Sequence, residues 1–222
     1  MKYENRRKAG QILANSIKES YNDLGENTII LAIPRGGVPV AYSVAKQLKI
    51  PFHLVITKKL SHPNNPEVAI GAIAPDGSYE LNERIKYYGV TDGFLEEVKN
   101  DALQRVKKRI NKYSEGKEPK VRGKDCIVID DGIATGYTAL VAGKYLKNKG
   151  ASTIVLAIPV CPKSSIESVK RVYDELICPS QIKSYTFAVG AYYEDFHQNT
   201  DEELDKYLEK AKNENLLYDN LN

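Results

Sequence analysis

Apolar and polar positions along this chain repeat with two periods, one suited to a helix and one to a strand. Residues 5–21 set Ala9, Leu13, Ile17 and Tyr21 on one face at every fourth position, which predicts an amphipathic helix. A short apolar run from Thr28 to Ile33 then breaks into Pro34-Arg35-Gly36-Gly37. Val38 to Leu48 returns to a helical pattern, and Phe52 to Thr57 is a second β-rich run. Strand, tight turn, helix and strand in that order read as a parallel βαβ unit.

Residues 58–67, KKLSHPNNPE, hold two prolines and two asparagines and are expected to form a loop. VAIGAIAPDGSYELN reads as two short strands around the Pro75-Asp76-Gly77 turn, a hairpin signal. A long helix follows, with Thr91 as its N-cap and Leu95, Val98, Ala102, Val106, Ile110 and Tyr113 on one stripe. DCIVIDDG and STIVLAIPV are strands, separated by a helix from Thr138 to Lys149 that Gly150 terminates. Thr200 to Glu203 forms a capping box, and Leu204, Tyr207, Leu208 and Ala211 give the helix behind it an apolar face. This alternation predicts a single α/β domain over residues 1–222, with a mostly parallel central sheet flanked by helices. Its core is expected at about residues 23–212, with an N-terminal helix within 1–22 and a frayed tail at 213–222.

Composition narrows the partners. The hydrophobic share of 42% and charged share of 27% are ordinary for a soluble globular chain, so neither disorder nor a coat of charge needs explaining. A net charge of +3, with its 32 Lys and Arg spread along the chain, argues against nucleic acid or a membrane surface as partner. The first residues lack an apolar signal core, and no apolar run approaches the ~20 residues of a bilayer span, so a cytoplasmic protein is expected. Cys126, Cys161 and Cys178 are odd in number and far apart, which suits reduced thiols better than a disulfide framework or a metal site.

Open α/β sheets bind ligands beyond the carboxyl ends of their strands. Two unusual turns fall there, Pro34 to Gly37 and Asp130 to Thr138, and neither is a dinucleotide fingerprint or a Walker A loop. In DDGIATGYT, Gly132 and Gly136 allow a sharp turn and close approach to a ligand. The stretch from Ala134 to Thr138 leads into a helix N-terminus, whose N–H groups and dipole suit a phosphate monoester. Asp130 and Asp131 would repel that phosphate but suit hydroxyl groups or an oxygen-seeking divalent cation. A ligand with phosphate at one end and neighbouring hydroxyls at the other is a ribose 5-phosphate.

Four apolar residues, two acids, then a small residue, Thr, Gly, any residue and Thr make CIVIDDGIATGYT resemble the 5-phosphoribosyl-1-pyrophosphate signature of the type I phosphoribosyltransferases. The resemblance runs through about residues 5–210, and within the family it is nearest to a branch of predicted phosphoribosyltransferases from bacteria and archaea. It implies the type I fold, with a β-hairpin, a mobile loop and a small C-terminal hood. It implies that Asp130 and Asp131 take the ribose hydroxyls and hold Mg²⁺. Gly132, Ile133 and Ala134 would then bind the substrate together with a 5-phosphate cradle at Thr135, Gly136, Tyr137 and Thr138. AIPRGGVPVA is similar to the family's pyrophosphate loop, often a non-proline cis peptide, which assigns Arg35, Gly36 and Gly37 to the pyrophosphate. KKLSHPNNPEVAIGAIAPDG resembles the mobile catalytic loop and its flanking strands, carrying Lys58 and Lys59 toward the leaving group. FAVGAYYEDF is similar to the region where 6-oxopurine members stack an aromatic ring on the base, which implicates Phe187, Tyr193 and Glu194.

The signature departs from the 6-oxopurine members at Ala134, where those members carry an Asp beside the purine. Glu67 and Glu194 are then the candidates for the acid–base group, and hypoxanthine and guanine are expected to be poor acceptors. The implied reaction moves a phosphoribosyl group from 5-phosphoribosyl-1-pyrophosphate to a nitrogenous base and releases pyrophosphate, with Mg²⁺, in a homodimer. Plainer readings stand beside these. An acidic pair can be a solvated turn, Gly36-Gly37 an ordinary βα turn, and Lys58-Lys59 a soluble surface. Tyr192, Tyr193 and Phe196 are equally core, dimer surface or base pocket, and His53, His62 and His197 share no ligand or triad spacing. Two rival functions remain open. One is a non-catalytic sensor of phosphoribosyl pyrophosphate or a nucleotide that uses the same pocket. The other is a sugar-phosphate hydrolase or phosphorylase, for which no nucleophile is identifiable.

Overall fold

The computed structural model describes residues 2–21, 24–62, 65–83, 85, 89–184 and 186–218, without the side chains of Pro66 and Glu67. The first half contains α1 (Arg6–Ser20), β1 (Thr28–Ala32), α2 (Gly37–Leu48), β2 (Phe52–Leu54), β3 (Lys58–His62), β4 (Asn65–Ile73) and β5 (Tyr79–Leu81). The long helix α3 (Asp92–Ser114) leads into β6 (Asp125–Ile129), α4 (Tyr137–Asn148) and β7 (Thr153–Ala157). The chain continues through β8 (Val160–Pro162), α5 (Ile166–Lys170), β9 (Glu175–Ile177), β10 (Ser180–Ile182) and α6 (Asp201–Asn213).

The central sheet has the order β2-β1-β6-β7-β9, and every neighbouring pair is parallel. Its strands read as continuous apolar runs because both faces are covered. Ile30, Ala32, Ile127 and Ile129 point into a core shared with Leu13 and Ile17 of α1 and Val38 and Val44 of α2. Ile29, Leu31, Cys126 and Val128 point the other way, against Leu140, Val141 and Tyr145 of α4. Alternation along each strand thus becomes two cores, one on each face.

Local signals agree with the helices. Asn5 caps α1 by accepting from Lys8 N at 3.0 Å, and Thr91 caps α3 by accepting from Phe94 N at 3.3 Å. The capping box at Thr200 and Glu203 is present. Gly150 leaves α4 at φ 84°, the left-handed turn that glycine adopts cheaply. No helix among the described residues is long and apolar enough to cross a membrane.

The structure corrects the sequence reading in two places. Residues 58–62 and 65–67, expected as loop, are strand: β3, β4 and β5 form an antiparallel arm. Only Leu60 of β3 is fully buried, so this strand lacks the repeated alternation that would reveal it, while the prolines and asparagines that follow it in the sequence signal a loop. The β3–β4 register shifts between Leu60 and Ser61 and again between Ser61 and His62. At its far side the arm is tied to α4. Asn148 Nδ2 donates to Asp76 Oδ2 and to Ser78 Oγ, at 2.9 Å each, and Lys144 pairs with Glu80.

The second correction concerns the ends. Within the expected frayed tail, residues 216–218 dock on β2, where Phe52 N donates to Leu216 O and Tyr218 N to Phe52 O, both at 2.8 Å. At the other end Tyr3 is fully buried and bonded to the segment ahead of α6, with Tyr3 N donating to Tyr192 O and Glu194 N to Tyr3 O. Gly10 lets α1 close on α2, since a Cβ there would lie 2.6 Å from Val40 O. The N-terminal helix is therefore part of the packed body.

Candidate functional site

β1 and β6 lie side by side, with Ala32 opposite Ile129, and their carboxyl ends release the two unusual turns next to each other. Chain direction across the sheet splits here, since β1 leads to β2 on one flank and β6 to β7 on the other. Such a switch point opens a crevice above an open parallel sheet. The Pro34–Arg35 peptide is cis, as the resemblance implies. The turn then packs onto the acids. A Cβ on Gly36 would lie 2.1 Å from Asp131 Oδ2, and one on Gly37 would lie 2.6 Å from Ile129 O and 2.9 Å from Asp130 Cα. These two glycines are required because no side chain fits between the turns.

The two acids are not equivalent. Asp131 is buried, and its Oδ2 accepts from Arg6 Nε at 2.7 Å. Arg6 Nη1 donates to His197 O at 2.9 Å, and the guanidinium lies 3.9 Å from the Phe196 ring centroid. Tyr193 OH donates to Asp131 O at 2.5 Å. Asp131 N in turn donates to Asp130 Oδ1 at 2.8 Å. Asp130 is only partly buried. Its carboxyl is nevertheless pushed well up, first by desolvation and then by the charge of Asp131. Burial raises Asp131 too, while the charge and hydrogen bond of Arg6 oppose that rise.

Beyond the acids, Gly132 turns at φ 153° beneath Val160 and Val189, and Ile133 is buried in the α4-side core. Both residues anchor the loop through this packing. Ala134 and Thr135 are exposed, and Ser165 Oγ holds Ala134 O at 2.5 Å. Gly136, at φ 77°, opens α4, with Tyr137 and Thr138 half-buried in its first turn. The leading N–H groups of a helix have no partner within it, so this end can receive an anion.

Cations gather on the opposite rim. Arg35 Nη1 donates to Asp201 Oδ1 at 3.0 Å, and the same carboxylate accepts from Lys112 Nζ and Tyr113 OH, at 2.5 Å each. These bonds hold Asp201 well below the usual carboxylate range. Lys58 is lowered from its ordinary value, mainly by desolvation and then by Arg109, Arg105, Lys59 and Arg35. A lysine destabilised by four neighbouring cations marks a place where an anion would be welcome. Lys59 is half-buried beside it.

The C-terminal segment divides differently from the expectation. Tyr193 is only 2% exposed, and its hydroxyl supports the acid loop through Asp131 O. Phe187 stacks on Tyr192, with centroids 5.1 Å apart and planes at 21°. Glu194 is exposed, and the side chain of Glu67 lies outside the described residues. Sequence reasoning missed Arg6, Arg109 and Asp201. Arg109 neighbours the α3 stripe, and Asp201 follows the Thr200 cap. For Arg6, the only hint was a cation at the first position of a helix, where the dipole prefers an anion. A cavity of about 550 Å³ at the β2 edge, lined by His53, Tyr113, Leu208 and Tyr218, includes no residue of either turn.

Comparison with known proteins agrees with the geometry. Two proteins of Mycobacterium tuberculosis, MT0597 of strain CDC 1551 and Rv0571c of strain H37Rv, are named as phosphoribosyl transferases and are each 34% identical over 215 residues. The match takes in 94% of this chain and 47% of each relative, so the chain spans about half the length of the curated relatives it matches. The crystal structure of TT1426 from Thermus thermophilus superposes with a TM-score of 0.76 at 31% identity, covering 95% of this chain and 99% of that one. A family model for the phosphoribosyl transferase domain matches residues 2–195, and the chain belongs to that family.

Proposed function

We propose that this chain transfers a 5-phosphoribosyl group from 5-phosphoribosyl-1-pyrophosphate to a nitrogenous base and releases pyrophosphate. The observation that carries this reading is the meeting of the two turns, with Gly36 and Gly37 pressed onto Asp131 and Asp130. It sets a carboxylate for sugar hydroxyls, a helix N-terminus for the 5-phosphate and a cationic rim for the pyrophosphate around one crevice. Bond breaking at the anomeric carbon develops positive charge on the sugar and negative charge on the leaving group. The protein's work is then orientation and electrostatic stabilisation. Arg35, Lys58 and Lys59, with Arg109 behind them, stabilise the departing charge.

Mg²⁺ fits the donor set. Asp130 offers hard oxygen, and its burial beside Asp131 makes a nearby cation favourable. No group of three or more His, Cys, Asp or Glu among the described residues forms a metal cage. That suits an ion held by one or two carboxylates together with substrate phosphates and water. When bound, it would neutralise charge on the pyrophosphate; Asp130 is the carboxylate that would hold it, with Asp131 behind it.

The test incubates protein, donor and Mg²⁺ with a panel of nitrogenous bases and measures base-dependent pyrophosphate release. Nucleotide formation with one base supports the reading. Tight donor binding without release under any base would mark a sensor instead. The reading carries a homodimer with it, which light scattering on the purified chain measures directly.

A further inference from the structure

Arg6 is the first residue of α1, and the helix opens with Arg6, Arg7 and Lys8 and no acid in its first turn. The dipole at that end favours anions, so this cation is misplaced for the helix itself. Docking of α1 does not need it either. Gly10 against Val40 and the stripe of Leu13 and Ile17 already seat the helix. A buried ion pair is a weak source of stability compared with apolar packing, and its best-supported use is to fix one geometry.

The geometry fixed here is that of Asp131. Arg6 Nε holds Oδ2 from one side, while Gly36 lies against the same oxygen from the other. The guanidinium is itself held, by His197 O and the face of Phe196. Tyr193 fixes the Asp131 carbonyl and Asp131 N fixes Asp130 Oδ1, so the restraint passes to the neighbouring carboxylate. We propose that Arg6 is a positioning residue of the donor site, pinning the Asp131 carboxylate against Gly36 and leaving Asp130 as the carboxylate open to ligand. This deepens the functional reading above and rests on it. In these terms α1 completes the site, although no residue of it touches the reacting atoms.

The test is calorimetric titration of 5-phosphoribosyl-1-pyrophosphate with Mg²⁺ into wild type, Arg6→Lys and Arg6→Ala. Each is measured at a temperature where circular dichroism shows it folded, and Arg6→Ala is measured with and without millimolar guanidinium. Arg6→Ala should weaken donor binding at least ~10-fold, with most of the loss recovered on adding guanidinium, which refills the space over Phe196. Arg6→Lys, which keeps the charge but loses the fork, should fall between. Folded Arg6→Ala with wild-type affinity would overturn the proposal, and so would a loss that guanidinium leaves untouched. Should Arg6→Ala fail to fold, Arg6→Lys decides alone, and wild-type affinity in that variant overturns it. Absence of donor binding by the wild-type chain is a different result: it removes the functional reading itself.

Discussion

Asp201 occupies Arg35: its Oδ1 accepts from Arg35 Nη1 at 3.0 Å, while Lys112 and Tyr113 hold the same carboxylate. A carboxylate at the mouth of the proposed pyrophosphate loop would compete with a pyrophosphate for the same guanidinium. Asp201→Ala should therefore tighten inorganic pyrophosphate binding by up to about fivefold, the worth of about 1 kcal/mol for a part-exposed ion pair. Isothermal titration reads the change directly. Weaker binding in the variant would mean that Asp201 aims Arg35 at the ligand.

The two acids should separate in mutagenesis. Asp131→Asn breaks a buried pair and leaves Arg6 without its anion, a loss of about 3 kcal/mol in urea unfolding. Asp130→Asn removes a group whose ionisation burial already opposes, so stability should hold or rise slightly while donor affinity falls. Equal stability losses in the two variants would contradict the division of roles.

Gly36→Ala should be severe. The new Cβ would sit 2.1 Å from Asp131 Oδ2 and force the two turns apart, at about 1–3 kcal/mol of overpacking. Gly77→Ala is the comparison: nothing lies within 4 Å of its Cβ, so only the left-handed φ of 85° opposes it. Thermal melts and donor titration of both variants check this, with donor binding retained only by Gly77→Ala.

His197 predicts a pH dependence. Hydrogen bonds to Asp195 and Glu203, at 2.9 and 2.8 Å, raise it above the ordinary 6.5. A histidine raised in the folded state contributes its full stabilisation below the unfolded value. That contribution is lost as the pH climbs through the higher folded value. The melting-temperature gap between wild type and His197→Gln should be present at pH 6 and shrink on the alkaline side. A gap independent of pH would show that the charge is irrelevant.

Ala134 bears on the acceptor. Its side chain is exposed in the loop, and a methyl group can neither take nor hold a proton on a base. Hypoxanthine and guanine should give little nucleotide, and Ala134→Asp should not improve the natural reaction. Chromatographic assay of nucleotide formation from both purines measures the outcome, and efficient turnover of either would refute it.

The sheet and most helices were legible because local signals and packing agree in them: apolar runs became doubly covered strands, and the caps at Thr91 and Thr200 became helix starts. The arm at β3 was hidden because one buried residue, Leu60, cannot display a period. At the site, the glycines and acids announced themselves through spacing within one segment. Arg6 and Asp201 did not, because each meets its partner across more than a hundred residues, and a single sequence carries no sign of which distant charges will meet.

The ties from Asn148 to Asp76 and Ser78, and from Lys144 to Glu80, have a mechanical consequence. They clamp the heel of the β-arm to the rear of α4, while the front of that same rod is the end at Gly136 proposed to receive the 5-phosphate. A swing of the whole arm would drag the rod and disturb that end. The β3–β4 ladder skips register only beyond Leu60, on the side of the arm away from these ties. Lys58 and Lys59 pair with Ile73 and Ala72 on the tied side of those shifts, so the same ties that hold the heel also hold the two cations in place.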